Sequence, residues 1–141
     1  MRVGVTVIAC AWLLVLSGYD IAERRLPNWL TLPGALLVLV VAAVASRGLA
    51  ALAGATALSG LYLAVHLLSP RAMGGGDVKL AAGLGAMTGA FGIDVWLLAA
   101  LAAPLLTAGL AFGAAVRGIR TVPHGPSMCT ASAVAVALVL V

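Results

Sequence analysis

Acidic side chains are almost missing from this sequence. Asp20, Glu23, Asp77 and Asp94 are the only four in 141 residues, and charged residues of both signs make up 9%. A soluble domain carries about a quarter, so there is too little polar surface here to cover a water-facing globule, and lipid must replace most of the water. The formal charge of +4 is then no nucleic-acid footprint, because basic residues this sparse act as topology markers under the positive-inside rule. Cysteine is equally scarce. Cys10 and Cys129 both sit inside apolar runs, with no Cys-x-x-Cys pair and no histidine at ligand spacing. That excludes a structural zinc site and leaves both as small buried apolar residues; nothing supports a disulfide between them. No metal and no cofactor are expected.

What is present is a series of apolar segments, 64% of the chain being hydrophobic. The first, Val3 to Tyr19, reads as a retained membrane helix rather than a secretory signal, since no Ala-x-Ala-like cleavage site follows it. The most polar stretch of the chain comes next, Asp20 to Asn28, in which Leu26 is held extended by Pro27 and Pro27-Asn28 marks the turn into a second helix, Trp29 to Ala45. Trp29 suits an interfacial anchor. A third span covers Leu49 to Leu68, a fourth and weaker one Val78 to Ile93, a fifth Val95 to Val116 and a sixth Ser127 to Val141. The sixth is shorter than the roughly 20 residues a straight span needs. The fourth is glycine-rich, and its Gly85-x-x-x-Gly89 has the small-residue spacing that lets helices pack closely in lipid. The fold expected is therefore all-α, a polytopic membrane bundle of about six helices forming one domain over residues 1–141.

Six spans place the connections in alternation. Arg24, Arg25, Arg71, Lys79, Arg117 and Arg120 fall on one side, six of the eight basic residues, and that side should be cytoplasmic with the N-terminus outside. Asp20 and Asp77 both lie at that boundary, whereas Asp94 lies on the opposite face. Two of the three aspartates can meet and one cannot.

The segment Met73-Gly74-Gly75-Gly76-Asp77-Val78-Lys79-Leu80 puts three glycines, an acid and a base together in a chain of Ala, Leu, Val and Gly. Glycines let another backbone come close, and backbone that is not helical at this depth is tolerated only where it lines a cavity or is covered by protein. Two carboxylates brought near one another cannot both ionise easily and share a proton. The ionised one can take a proton from water while the protonated one polarises a peptide carbonyl, which is aspartic protease chemistry. Structural readings compete with this. Asp77 suits a helix N-cap, Asp20-Ile-Ala-Glu23 resembles a capping box that opens a short surface helix, and Asp20 and Arg24 have ion-pair spacing.

Taken together, these motifs resemble the prepilin peptidases, the type IV leader peptidase family. Gly74-Gly75-Gly76-Asp77-Val78-Lys79-Leu80 looks like the family's Gly-x-Gly-Asp signature, followed as there by a hydrophobic residue, Lys and Leu. Asp20 with Leu26-Pro27-Asn28 resembles the first catalytic aspartate and its trailing Ile-Pro-Asn. Pro123-His124-Gly125-Pro126 is similar to a Pro-Phe-Gly-Pro element, with His124 in place of the aromatic residue. The resemblance implies a catalytic pair, Asp20 and Asp77, with Gly74, Gly75, Gly76, Lys79, Pro27 and Asn28 shaping the site or binding substrate. Lys79 would support Asp77 or contact headgroups; a snorkelling interfacial lysine is its structural alternative. The implied partners are a prepilin-like protein with a short basic leader and the membrane lipid, with no nucleic acid. Larger members carry a cytoplasmic insert with two Cys-x-x-Cys pairs and also methylate the new N-terminus. The connection between the first two helices here is too short for that insert, so the resemblance is to the compact members that serve Flp/Tad-type pili, with peptidase activity and no methyltransferase. Two other classes compete: a non-catalytic transport or assembly subunit whose aspartates cap helices or carry protons, and a presenilin-like protease, for which Tyr19-Asp20 offers the Tyr-Asp pair.

Overall fold

The computed structural model describes residues 2–141. Six α-helices follow one another: α1 (Arg2–Glu23), α2 (Asn28–Val44), α3 (Gly48–Leu68), α4 (Gly75–Phe91), α5 (Ile93–Val116) and α6 (Gly125–Leu140). In lipid each backbone polar group must be satisfied inside its own segment, which makes the helix the default for apolar runs of this length. Gly4–Glu23, Gly48–Leu68 and Ile93–Val116 are long and apolar enough to cross a bilayer, while α2 and α6 are shorter apolar helices. Leu14, Leu36, Leu49, Leu105 and Phe112 are among the large apolar side chains turned outward. A contiguous surface of that kind needs a lipid or protein covering, and with these spans the chain is a membrane protein.

The breaks between helices have local causes. Arg24 adopts a positive φ of 53° and ends α1. Pro27, extended at φ −69° and ψ 135°, caps α2. Gly92, at φ 127°, separates α4 from α5, a conformation that suits a residue without Cβ. The break expected at Asp94 is therefore two residues earlier, and Asp94 sits in the first turn of α5.

Two expectations about the aspartates are overturned. Asp20 does not open a surface helix, because α1 continues past Tyr19 to Glu23 and holds Asp20 in its last turn. Polarity alone does not stop a helix, and Ile21-Ala22-Glu23 contains no breaker. Asp77 is not an N-cap either: Gly74 is the cap residue and Asp77 is third in the helix.

α4 is the centre of the bundle, packing against α2, α3, α5 and α6. It is buried almost all round, at Leu80, Ala81, Gly83, Leu84, Gly85, Ala86, Thr88 and Gly89. The glycine spacing of the sequence is used against α3. A Cβ on Gly89 would lie 2.8 Å from the Ala50 carbonyl oxygen and 2.9 Å from Gly54 Cα, so the two backbones touch. Trp96 of α5 donates its indole N–H to the Gly54 carbonyl at 3.1 Å. Trp12 of α1 wedges against Gly34 of α2 and Gly83 of α4 and donates to the Leu30 carbonyl at 3.0 Å. The cysteines differ from one another: Cys129 is buried as expected, but Cys10 faces outward from α1. A helix that meets lipid on one side and protein on the other is apolar on both, so composition does not tell its faces apart.

Candidate active site

Leu13, Leu16 and Asp20 are buried along one face of α1, at the three- and four-residue steps that share a helix face. The stripe carries Asp20 into the bundle although the residues around it are polar, and it is only 8% exposed. Its Oδ2 accepts a hydrogen bond from the Gly125 backbone N–H at 2.8 Å, across 105 residues of chain. Gly125 opens α6, where unpaired N–H groups and the helix dipole favour a negative charge. A Cβ on Gly125 would lie 2.9 Å from Asp20 Cγ. Only glycine lets the carboxylate approach so closely.

Asp77 enters from the first turn of α4 and is half-buried. Both carboxylates line one open cavity of about 290 Å³, bordered by the glycine run Gly74-Gly75-Gly76 and by Arg24, Arg25, Leu26 and Lys79. The charge of Asp20 is felt at Asp77. The three glycines are not equivalent. A Cβ on Gly76 would press on Leu26 at 3.3 Å, whereas one on Gly75 would meet open space, so the cavity is open beside Gly75. Leu26 is buried, held extended ahead of Pro27, and forms the wall between α1 and α4.

Lys79 is on the rim, exposed, and donates to Asn28 Oδ1 at 2.6 Å. It ties the start of α4 to the start of α2, where Pro27 is the cap and Asn28 the first helical residue. Arg24 turns away from Asp20 and donates to the hydroxyl and carbonyl of Thr121, the latter at 3.2 Å. His66, in the last turn of α3, lies 2.7 Å from the Met73 carbonyl. A carbonyl can only accept, so Nδ1 carries the proton, and the approach to the glycine run is fastened to α3. All these contacts lie at the same end of the bundle. At the other end Arg47 donates to the Ala90 carbonyl at the close of α4, at 2.9 Å, and Asp94 is exposed. The 17 residues of α4 put about 25 Å between the two ends.

Beyond the eight positions singled out in the sequence, Gly125, His124, Tyr62 and Thr107 belong to the site's surroundings. His124 Nε2 lies 3.1 Å from the Tyr62 hydroxyl, and Nδ1 is hydrogen-bonded to the Thr107 hydroxyl. The Pro-x-Gly-Pro element around Gly125 was the available signal for two of them. Tyr62 and Thr107 carry none, being single polar residues in apolar helices.

Comparison with known proteins gives the family. Residues 7–141 match the type IV leader peptidase family. The chain is similar to the prepilin leader peptidase/N-methyltransferase of Aeromonas hydrophila, 35% identical over 133 residues, which cover 88% of this chain and 46% of that protein. The chain thus spans about half the length of that curated relative. No solved structure matches it.

Proposed function

We propose, because this chain belongs to the type IV leader peptidase family, that it is a membrane aspartic endopeptidase that removes the leader of a prepilin-like protein. The observation that carries the reading is the shared cavity: two aspartates from helices far apart in sequence line one pocket, beside a glycine run that leaves space for an extended backbone.

Asp20 and Asp77 are the catalytic pair and hold one proton between them. The ionised carboxylate takes a proton from water as the water oxygen attacks the scissile carbonyl. The protonated one hydrogen-bonds to that carbonyl and stabilises the oxyanion of the tetrahedral intermediate. Collapse breaks the C–N bond, and the proton taken from water goes to the leaving amine. Substrate backbone lies along Gly74, Gly75 and Gly76. Pro27, Asn28 and Lys79 shape the rim, and the Lys79–Asn28 hydrogen bond supports that role.

The basic residues at this end support a cytoplasmic active site and an N-terminus outside. Residues 1–141 act as a single peptidase domain. We read it as a peptidase without N-methyltransferase activity, since residues 24–27 alone connect α1 to α2. Co-expression with a tagged prepilin-like substrate tests the reading. A shortened product whose unmethylated N-terminus lies just before the hydrophobic helix is expected. A substrate that stays full length while the protein is folded in the membrane would rule out the peptidase reading and leave a transport or assembly role.

A further inference from the structure

Asp20 is held by one backbone N–H, and what holds that N–H can be followed through the structure. Thr107 of α5 donates its hydroxyl proton to the Ala103 carbonyl at 3.1 Å. With that proton on Ala103 the oxygen is left to accept, which assigns His124 Nδ1 as the donor in their hydrogen bond. A neutral imidazole then has a bare Nε2, which accepts from the Tyr62 hydroxyl of α3 at 3.1 Å. Burial pushes the His124 imidazole below its ordinary value, against a smaller upward pull from Asp20, and this agrees with a neutral ring. The ring also lies against Tyr62, tilted by 34° with 5.7 Å between centroids. His124 immediately precedes Gly125, and its carbonyl accepts from Met128 N–H at 3.1 Å in the first turn of α6. Pinning the ring to α3 and α5 therefore fixes where the Gly125 N–H points.

We propose that His124 is a positioning residue for Asp20: as the Nδ1–H tautomer it clamps the first turn of α6 to α3 and α5, so that the Gly125 N–H is aimed at the Asp20 carboxylate and makes Asp20 the ionised member of the pair. An N–H can only donate, and a hydrogen bond of this kind favours the charged form of its acceptor. Asp20 is then the base that activates water. Asp77, to which no group of α6 is seen to donate among the described residues, carries the proton, since burial and the charge of Asp20 outweigh its backbone hydrogen bond from Gly74. This rests on the peptidase reading above.

The groups that share the cavity with Asp20 are Asp77 from α4 and Arg24 and Arg25 beyond its own helix, and its charge is also felt at His124 ahead of α6 and Cys129 within α6. None but Gly125 is seen to donate to it. Loosening the clamp should weaken that anchor while leaving Asp77 in place.

The test is the pH profile of leader cleavage by purified protein in detergent with one fixed substrate. His124→Phe keeps an aromatic ring and loses both hydrogen bonds. It should lower kcat about ten-fold with KM nearly unchanged, and move the acid limb of the profile upward by about one pH unit. Gly125→Ala, whose Cβ collides with the Asp20 carboxyl, should act in the same sense and more strongly. If His124→Phe proves too unstable to purify, Thr107→Val removes the acceptor of Nδ1–H, together with its own bond to the Ala103 carbonyl, and should shift the acid limb the same way by a smaller amount. An unmoved acid limb in the purified variants would overturn the proposal, whatever happens to kcat. Asp20→Asn is the control for the premise: if it still cleaves, the peptidase assignment fails and not merely the role of His124.

Discussion

Asp77 and Asp94 occupy equivalent local positions at opposite ends of the bundle. Each lies in the first turn of a helix, shortly after a glycine. By local rules both look like acids placed to suit the positive end of a helix dipole. Their surroundings separate them. Asp77 is half-buried, faces a second carboxylate across a cavity and is bordered by a glycine run. Asp94 is exposed, and the end it occupies is closed by a cation on a helix carbonyl, Arg47 on Ala90. One end of the molecule is built to stay closed. The other keeps a space between its helices and places two acids in it. The chemistry we propose follows from that pairing rather than from the aspartate itself.

The comparison is broken most severely at the pair. Asp20→Asn or Asp77→Asn should each lower the rate of leader cleavage about 10²- to 10⁴-fold, the range expected for loss of a positioned acid or base, measured by single-turnover assays on purified protein. Gly54→Leu attacks the scaffold that both ends share. The new side chain has backbone to displace, Gly85 and Gly89 of α4, so a loss of about 3 kcal/mol or more is expected, as an overpacked core site gives at the upper end of its range. Thermal unfolding in detergent would show it. Lys79→Met removes an exposed hydrogen bond to Asn28 and should change KM by about two- to five-fold, since solvent-exposed charged pairs contribute under about 1 kcal/mol. The smallest effect is expected at the other end: Asp94→Asn should leave the cleavage rate within about two-fold of the unchanged protein, as for surface substitutions away from special features.

Much of this could be read from the sequence because lipid simplifies the problem. Apolar runs must become helices, six runs alternate, and scattered arginines orient them, so Asp20 and Asp77 meet at one boundary while Asp94 does not. Where each helix stops was less legible. α1 carries on through Asp20 because nothing before Leu26-Pro27 forbids it, and Gly75 and Gly76 join α4 although glycine is a poor helix former, since the first turn needs little propensity. The outward turn of Cys10 was hidden by the same apolar composition that made the helix obvious. The partner of Asp20 was out of reach for a different reason. Gly125 lies 105 residues away, and only the packing of α1 on α6 brings them together. The tautomer of His124 depends on Tyr62 and Thr107, which no local pattern links.

The central claim is that Asp20 and Asp77 work as one unit that shares a proton, and the pH dependence of kcat for leader cleavage tests it most directly. A bell-shaped profile is expected. Rates should fall on the acid side as the second carboxylate takes up its proton, and on the alkaline side as the shared proton is lost. A rate that stays flat through the acidic range, with the protein shown to be folded across it, would contradict the shared proton and with it the pairing of the two aspartates.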